Sequence, residues 1–353
     1  MDFNELNRQV LLPDQDAAAL CRARWNAIAK PIDSLGLLEQ AVIRIAALTG
    51  NAVPSIKRRA VLVMCADNGV VQEGVTQTGS EVTALVARNI ARGHACIRYM
   101  AKRAEVDVYA VDIGMNAHTP INGVLEYAVA QGTKSLLKEP AMTTEETEMA
   151  IRRGMELVLR CKEQGYQLLA TGEMGIGNTT TSSAIAAVLL GKPVTKVTGR
   201  GAGLSDKMLK KKVKVIQTAI RLHEPDPQDP FQVLQKLGGL DIAGLTGVFL
   251  GGALYRVPIL IDGFISAVAA LLAVRLCPNA IQAVFATHVS SEPAAEQVLD
   301  ALGLRALITA GMHLGEGTGA VCSIPMLDMA LEVYNNMFTF DQIGMEAYEA
   351  PLP

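Results

Sequence analysis

Short runs of aliphatic and β-branched residues recur between residues 60 and 309, and each breaks off at a cluster of Asp, Thr, Ser or Gly. Ala60–Cys65 ends in Ala66-Asp67-Asn68-Gly69, Val106–Val111 in Asp112-Ile113-Gly114, and Tyr166–Ala170 in Thr171-Gly172-Glu173. Val257–Ile261 ends in Asp262-Gly263, Ile281–Ala286 runs into Thr287-His288 with Ser290-Ser291 beyond, and Leu304–Thr309 is a sixth candidate. Apolar runs of this length read as strands buried on both faces. Segments of helical period separate them: Glu81–Met100, Thr144–Gln164, Thr180–Leu190, Asp206–Leu222, Ser266–Leu276 and Pro293–Leu302. Such alternation specifies an α/β fold, with a mostly parallel sheet covered by helices on both faces.

The same pattern bears on where a ligand sits. In open α/β sheets the crevice lies outside the carboxyl ends of the strands, and that is where the polar and glycine clusters fall. Asp67, Glu173, Asp262 and Ser290 are therefore expected to converge, although they are distant in sequence. Each by itself also suits a turn or helix cap, where Asp, Ser and Gly are common.

Composition narrows the class further. The chain has 353 residues, long enough for one large domain plus a smaller unit. Half of them are hydrophobic but only 4% are aromatic, so Ala, Val, Leu and Ile must fill the core. Residues 1–50 and 325–353 are helical in pattern, with Pro325–Asn336 the clearest stretch before the closing Pro351-Leu352-Pro353, and 51–324 carry the strands. A formal charge of −3 offers no field for nucleic acid or an anionic membrane. The six cysteines stand far apart without a Cys-x-x-Cys pair, and the five histidines lack metal-ligand spacing, so neither a zinc site nor a disulfide framework is expected. Met1–Asn7 is polar and acidic, unlike a signal peptide, and a reducing cytoplasmic setting fits. Arg256, Asp262 and Arg275 interrupt the most apolar stretch, Ile242–Cys277, which therefore reads as buried helices and a strand rather than a membrane span.

Three glycine-rich segments could carry chemistry. Gly172–Thr180 follows a strand and precedes a helix, a setting in which backbone N–H groups can meet an anion. It matches neither a P-loop nor Gly-x-Gly-x-x-Gly, since Thr180 stands where the third glycine belongs; a single phosphate is supported and a dinucleotide is not. Gly199-Arg200-Gly201-Ala202-Gly203 precedes a helix bearing Lys210, Lys211, Lys212 and Lys214, which is either a lysine supply for a phosphate or a solvated basic face. Leu314-Gly315-Glu316-Gly317-Thr318-Gly319-Ala320 sets one carboxylate among residues without bulk. A backbone pressed against a ligand, with Glu316 accepting a proton, fits that composition. His288 beside Ser290-Ser291 reads as a structural histidine at a strand end, and no Gly-x-Ser-x-Gly elbow suggests a hydrolase.

Taken in order, Gly172–Ala184, Gly199–Gly203 with Lys212, Pro258–Ser266, Thr287–Ala294 and His313–Ala320 resemble the nicotinate-nucleotide:dimethylbenzimidazole phosphoribosyltransferase family. Lys30–Glu39, Cys65–Val70, Glu73–Ala84, Pro140–Thr143 and Tyr334–Met337 extend the resemblance over nearly the whole chain. It implies a Rossmann-like large domain, a small domain from the N- and C-terminal helices, and a homodimer without metal or nucleotide cofactor. The substrates it implies are nicotinate mononucleotide and an aromatic base. Glu316 would be the general base. Lys212 and the amides around Gly175 and Gly201 would hold the phosphate, with Ser290 and Ser291 nearby. Glu173 and Asp262 would line the ribose and nicotinate region, and Thr78, Leu85, Val86, Met174 and Leu314 the base pocket.

The chain departs from the family pattern at Asn68, where His is common, at Leu85-Val86, where a polar residue often follows, and in Val129–Lys134, which lacks an Arg found in some members. An apolar Leu85 and Val86 opens the alternative of a phenolic acceptor. A non-catalytic partner of an active paralogue is a further alternative, against which the intact Glu316 argues.

Overall fold

The structure is a computed structural model that describes residues 1–116 and 119–348; His118 and the closing Pro351-Leu352-Pro353 lie outside the described residues. The strands are β1 (Arg59–Ala66), β2 (Asp107–Gly114), β3 (Val124–Glu126), β4 (Leu168–Met174), β5 (Ile259–Leu260) and β6 (Val284–Phe285). They form one sheet in the order β3-β2-β1-β4-β5-β6, with every neighbouring pair parallel. This is the Rossmann order, and its direction reverses between β1 and β4. β1 is buried along its whole length, as an unbroken apolar run in the sheet centre requires.

The helices are α1 (Phe3–Gln9), α2 (Gln15–Ala27), α3 (Leu37–Thr49), α4 (Glu81–Arg92), α5 (Cys96–Arg103), α6 (Thr144–Glu163) and α7 (Asn178–Leu189). They continue as α8 (Val194–Val197), α9 (Asp206–His223), α10 (Pro230–Leu237), α11 (Leu240–Tyr255), α12 (Phe264–Leu276), α13 (Ala295–Ala301) and α14 (Thr318–Asn336). Side-chain caps mark several starts: Asp14 on α2, a reciprocal Thr143/Glu146 box on α6, Ser205 on α9, and Asp229 before Pro230 on α10. Each is worth about 1 kcal/mol. α11 and α12 are apolar on almost every side because they are buried against the sheet and their neighbours. Among the described residues no helix is long and apolar enough to cross a membrane.

Four local expectations are corrected. The segment Glu81–Met100 is two helices, α4 and α5, because Gly93 ends the first in left-handed backbone (φ 87°). Leu304–Thr309 supplies no strand, only an isolated bridge between Ile308 and His288; the sixth strand is β3, too short to register as an apolar run. In Ile281–Ala286 the first residues belong to a 3-10 turn, Pro278–Ala283, and only Val284–Phe285 pairs. Pro325 lies inside α14 rather than at its start, so a boundary between 324 and 325 falls within one helix.

α2 and the end of α14 meet. Trp25 packs against Tyr334 with ring centroids 5.0 Å apart and the ring planes tilted by 55°. Arg24 donates to the carbonyls of Tyr334 and Met337, and Ile28 bridges Thr339 in antiparallel fashion. α14 thus runs from the sheet to the N-terminal helices, with its N-terminal end at the carboxyl edge of β4.

Candidate active site

A crevice opens outside the carboxyl ends of the strands. All three glycine-rich segments reach it: Glu173–Thr179 after β4, Arg200–Ala202 before α9, and His313–Glu316 before α14. Val75–Thr78, Leu204, Lys212, Gly263–Ser266, His288, Ser290 and Glu292 complete the lining. Gln77 donates to the carbonyl of Ala202 (3.0 Å), tying the segment before α4 to the second glycine loop.

The cationic end is built around Lys212. This lysine sits on the buried face of α9, and its Nζ donates to Thr179 Oγ1 (2.8 Å) and to the carbonyl of Gly199 (3.2 Å). An ammonium has three hydrogens to donate, so one is left for the crevice. Burial pushes its pKa down to about 8, opposed by the nearby Glu292. The neighbouring lysines 210, 211 and 214 do not line the crevice. α7 begins here as well, with Gly177 in left-handed backbone (φ 96°) just before it, and a helix N-terminus favours negative charge. The Gly201 amide is not free: it donates to Glu292 Oε1 (3.1 Å). An anion reaching that amide must displace a carboxylate.

The acidic end holds Glu173 and Glu316. Glu173 is 8% exposed, and burial, with the charges of Asp241, Asp262 and Glu316, raises its pKa to about 8. Asn178 donates to both Glu173 and Asp241, the latter at 3.0 Å, so one amide joins two buried carboxyls. Asp241 itself is pushed up to about 6 by burial. Glu316 is half-buried; burial first, then the charge of Asp262, raises its pKa, while the backbone N–H of Ile97 at the start of α5 lowers it. Its backbone is left-handed (φ 60°), flanked by Gly315 (φ 91°) and Gly317 (φ 89°). Gly172 permits this approach, since a Cβ there would lie 2.7 Å from the Glu316 carbonyl carbon.

Of the residues expected from sequence, Glu316, Glu173, Gly175, Gly201, Lys212, Ser290, Thr78, Met174 and Leu314 come together in this crevice. Four others do not line it. Asp262 is 2% exposed and spends its carboxylate on the amides of Gly317, Gly319 and Ala320. Ser291 faces an adjoining depression with Gly203 and Pro293. Leu85 is 50% exposed, and Val86 packs against the core. The reason is helical geometry: α4 buries Thr83, Ala87 and Ile90, and a residue two positions from Thr83 points away. It is the Thr83 hydroxyl that meets the first glycine loop, accepting from the Ile176 amide at 3.3 Å. Asp67 likewise serves the backbone, accepting from the Asn116 amide (2.7 Å). His288 does line the crevice, although its position at a strand end suggests only a structural part.

A family model described as Phosphoribosyltransferase matches residues 10–345. The chain belongs to that family. A curated relative from Acetivibrio thermocellus, named nicotinate-nucleotide–dimethylbenzimidazole phosphoribosyltransferase, is 44% identical over 330 residues, covering 94% of each chain. Another of the same name, from Ruminiclostridium cellulolyticum, is 40% identical and covers 99% of each. Among solved structures, CobT from Thermus thermophilus superposes with a TM-score of 0.88 at 39% identity, over 94% of this chain and 99% of that one.

Within this phosphoribosyltransferase fold, sequence reasoning passes over Asn178, Thr179, Asp241 and Glu292. Asn178 and Thr179 close a glycine-rich stretch of sequence whose composition points to backbone amides alone, and in the fold they open α7. Asp241 immediately precedes the apolar run that begins at Ile242, so an acid at the mouth of a buried helix is the available signal. Glu292 follows Ser290-Ser291, and nothing in its spacing indicates that it reaches the Gly201 loop.

Proposed function

We propose that the chain transfers the 5-phosphoribosyl group of nicotinate mononucleotide to 5,6-dimethylbenzimidazole, releasing nicotinate and inverting to the α-ribotide, in the assembly of the cobamide lower ligand. One observation carries this reading. Glu316 shares a crevice with Lys212 and the loops around Gly175 and Gly201, so a proton acceptor and a phosphate grip face the same space.

The chemistry follows from the charges. The nicotinate ring nitrogen is cationic in the nucleotide and leaves as a neutral pyridine nitrogen, so departure needs no added Lewis acid. The ribose becomes oxocarbenium-like, and carboxylates close to it stabilise that charge. Glu173, whose pKa burial raises to about 8, is drawn towards its ionised form by a cationic ring beside it. The acceptor attacks through one nitrogen while Glu316 takes the proton from the other. Holding both substrates in line contributes as much as the base does.

A phenolic acceptor drew its support from Leu85 and Val86. Neither lines the crevice, which leaves the azole favoured. The test is an acceptor panel with purified protein and nicotinate mononucleotide, products identified by mass. Dimethylbenzimidazole is expected to give an N-linked ribotide and stoichiometric nicotinate. Turnover with phenol or p-cresol alone, or with no acceptor tried, would remove the reading.

The functional unit in this reading is a cytoplasmic homodimer that uses no metal or nucleotide cofactor. Sedimentation is expected to give the mass of two chains, and a single-chain mass at micromolar concentration would rule the dimer out.

A further inference from the structure

Asp262 follows β5 and lies 55 positions before the amide its Oδ2 accepts from, that of Gly317 (3.0 Å). Its other oxygen accepts from the amides of Gly319 (2.8 Å) and Ala320 (3.2 Å). Burial pushes its carboxyl up, while the charge of His288 and the three donated N–H groups favour the carboxylate. α14 has no side-chain cap of its own, because its N-cap is Gly317. These first-turn amides are buried and would otherwise lack a partner. Asp262 is itself oriented, since its N–H donates to the hydroxyls of Thr171 and Ser266 (3.2 Å each).

The loop it holds has an unusual backbone. Gly315, Glu316 and Gly317 are left-handed in succession, and only the middle one carries a side chain. An L residue there is strained and persists only where its surroundings over-determine it. Upstream, the Glu316 N–H donates to the Glu173 carbonyl (3.2 Å); downstream, Asp262 takes the next amide. We propose that Asp262 is the positioning residue for Glu316, its carboxylate pinning the start of α14 so that Glu316 keeps the left-handed backbone that turns it into the crevice. Asp262 reaches the reaction only through Glu316. The assignment rests on the reading of Glu316 as the base, and it replaces the expectation that Asp262 lines the ribose region.

The test is Asp262→Asn, whose amide group cannot accept from all three N–H donors. Amide exchange of the 315–320 segment is expected to quicken at least about tenfold while the central strands keep their protection. With dimethylbenzimidazole, kcat is expected to fall about 30-fold, as a displaced reacting group costs, with KM for the nucleotide little changed. The acid limb of the kcat profile should move to lower pH, since one of the negative charges around Glu316 is gone while Glu173 and His288 remain. In a Glu316→Gln background the same change should cost less than about twofold.

Unchanged exchange, unchanged kcat, or full additivity with Glu316→Gln overturns the assignment. If the Asn variant does not fold, Asp262→Ser, smaller and still an acceptor, carries the same expectations; failure of both to fold makes Asp262 a residue of the core and also overturns it. A wild-type protein without turnover defeats the functional reading alone, because the exchange measurement stands without it.

Discussion

Glu316→Gln is expected to slow nicotinate release by about 10³-fold at saturating substrates, within the range that removal of a general base produces. Gln keeps the size and the hydrogen-bonding reach of the side chain, so nucleotide KM should hold and the loss should fall on kcat. In the wild type the rate should decline as pH drops through the raised pKa of Glu316, because a base must be ionised to act. That acid limb should vanish in the variant. Acceptors with a more acidic N–H should lose less, since they depend less on the base.

A stability measurement separates function from folding at this position. Glu316 occupies a backbone conformation that costs an L residue about 1 kcal/mol or more, so Glu316→Gly is expected to unfold at a higher denaturant concentration while losing turnover. A residue that weakens the fold but is needed for rate is the signature of strain kept for function. Full activity in either variant would end the assignment of Glu316 as base.

The second large effect is at Lys212. Lys212→Met keeps the aliphatic length of the side chain and deletes the ammonium. Loss of a charge-assisted hydrogen bond to phosphate is worth about 2–3 kcal/mol, or roughly 10²-fold in kcat/KM for the nucleotide. In the wild type, kcat/KM should fall above about pH 8, where the buried ammonium of the free protein gives up its proton. Phosphate binding favours the protonated form, so the limb belongs to free enzyme and should appear in kcat/KM rather than in kcat. The Met variant should lack it. Its folding stability should change little, because relief of a desolvated charge is set against the loss of the hydrogen bonds to Thr179 and the Gly199 carbonyl. A variant with unchanged kcat/KM would place the phosphate elsewhere.

Much of the sheet is legible because a strand buried on both faces must be apolar throughout. The runs at Ala60, Val106 and Tyr166 are β1, β2 and β4, and the sheet's centre is built from them. Short edge strands carry too few residues to leave a pattern, which is why β3 is invisible in the sequence and Leu304–Thr309 imitates a strand. Helix limits are legible where a cap is encoded, as at Thr143 and Ser205. They are not where one glycine divides two helices, as at Gly93.

At the site, loop composition singles out Glu316, an isolated acid among glycines, and position at a strand end singles out Glu173, whereas only the family resemblance picks Lys212 from its run of four lysines. The order of residues alone also determines the alternation that brings strand ends to one edge. It cannot say which way a side chain at that edge turns. Asp262 and Glu173 look alike in sequence, each an acid at the end of a strand. Glu173 faces the crevice, whereas Asp262 faces three backbone amides of a helix that starts 55 positions further along. That choice belongs to the tertiary structure, because a buried carboxylate goes wherever unpaired donors are, and those donors come from parts of the chain that meet only once it has folded.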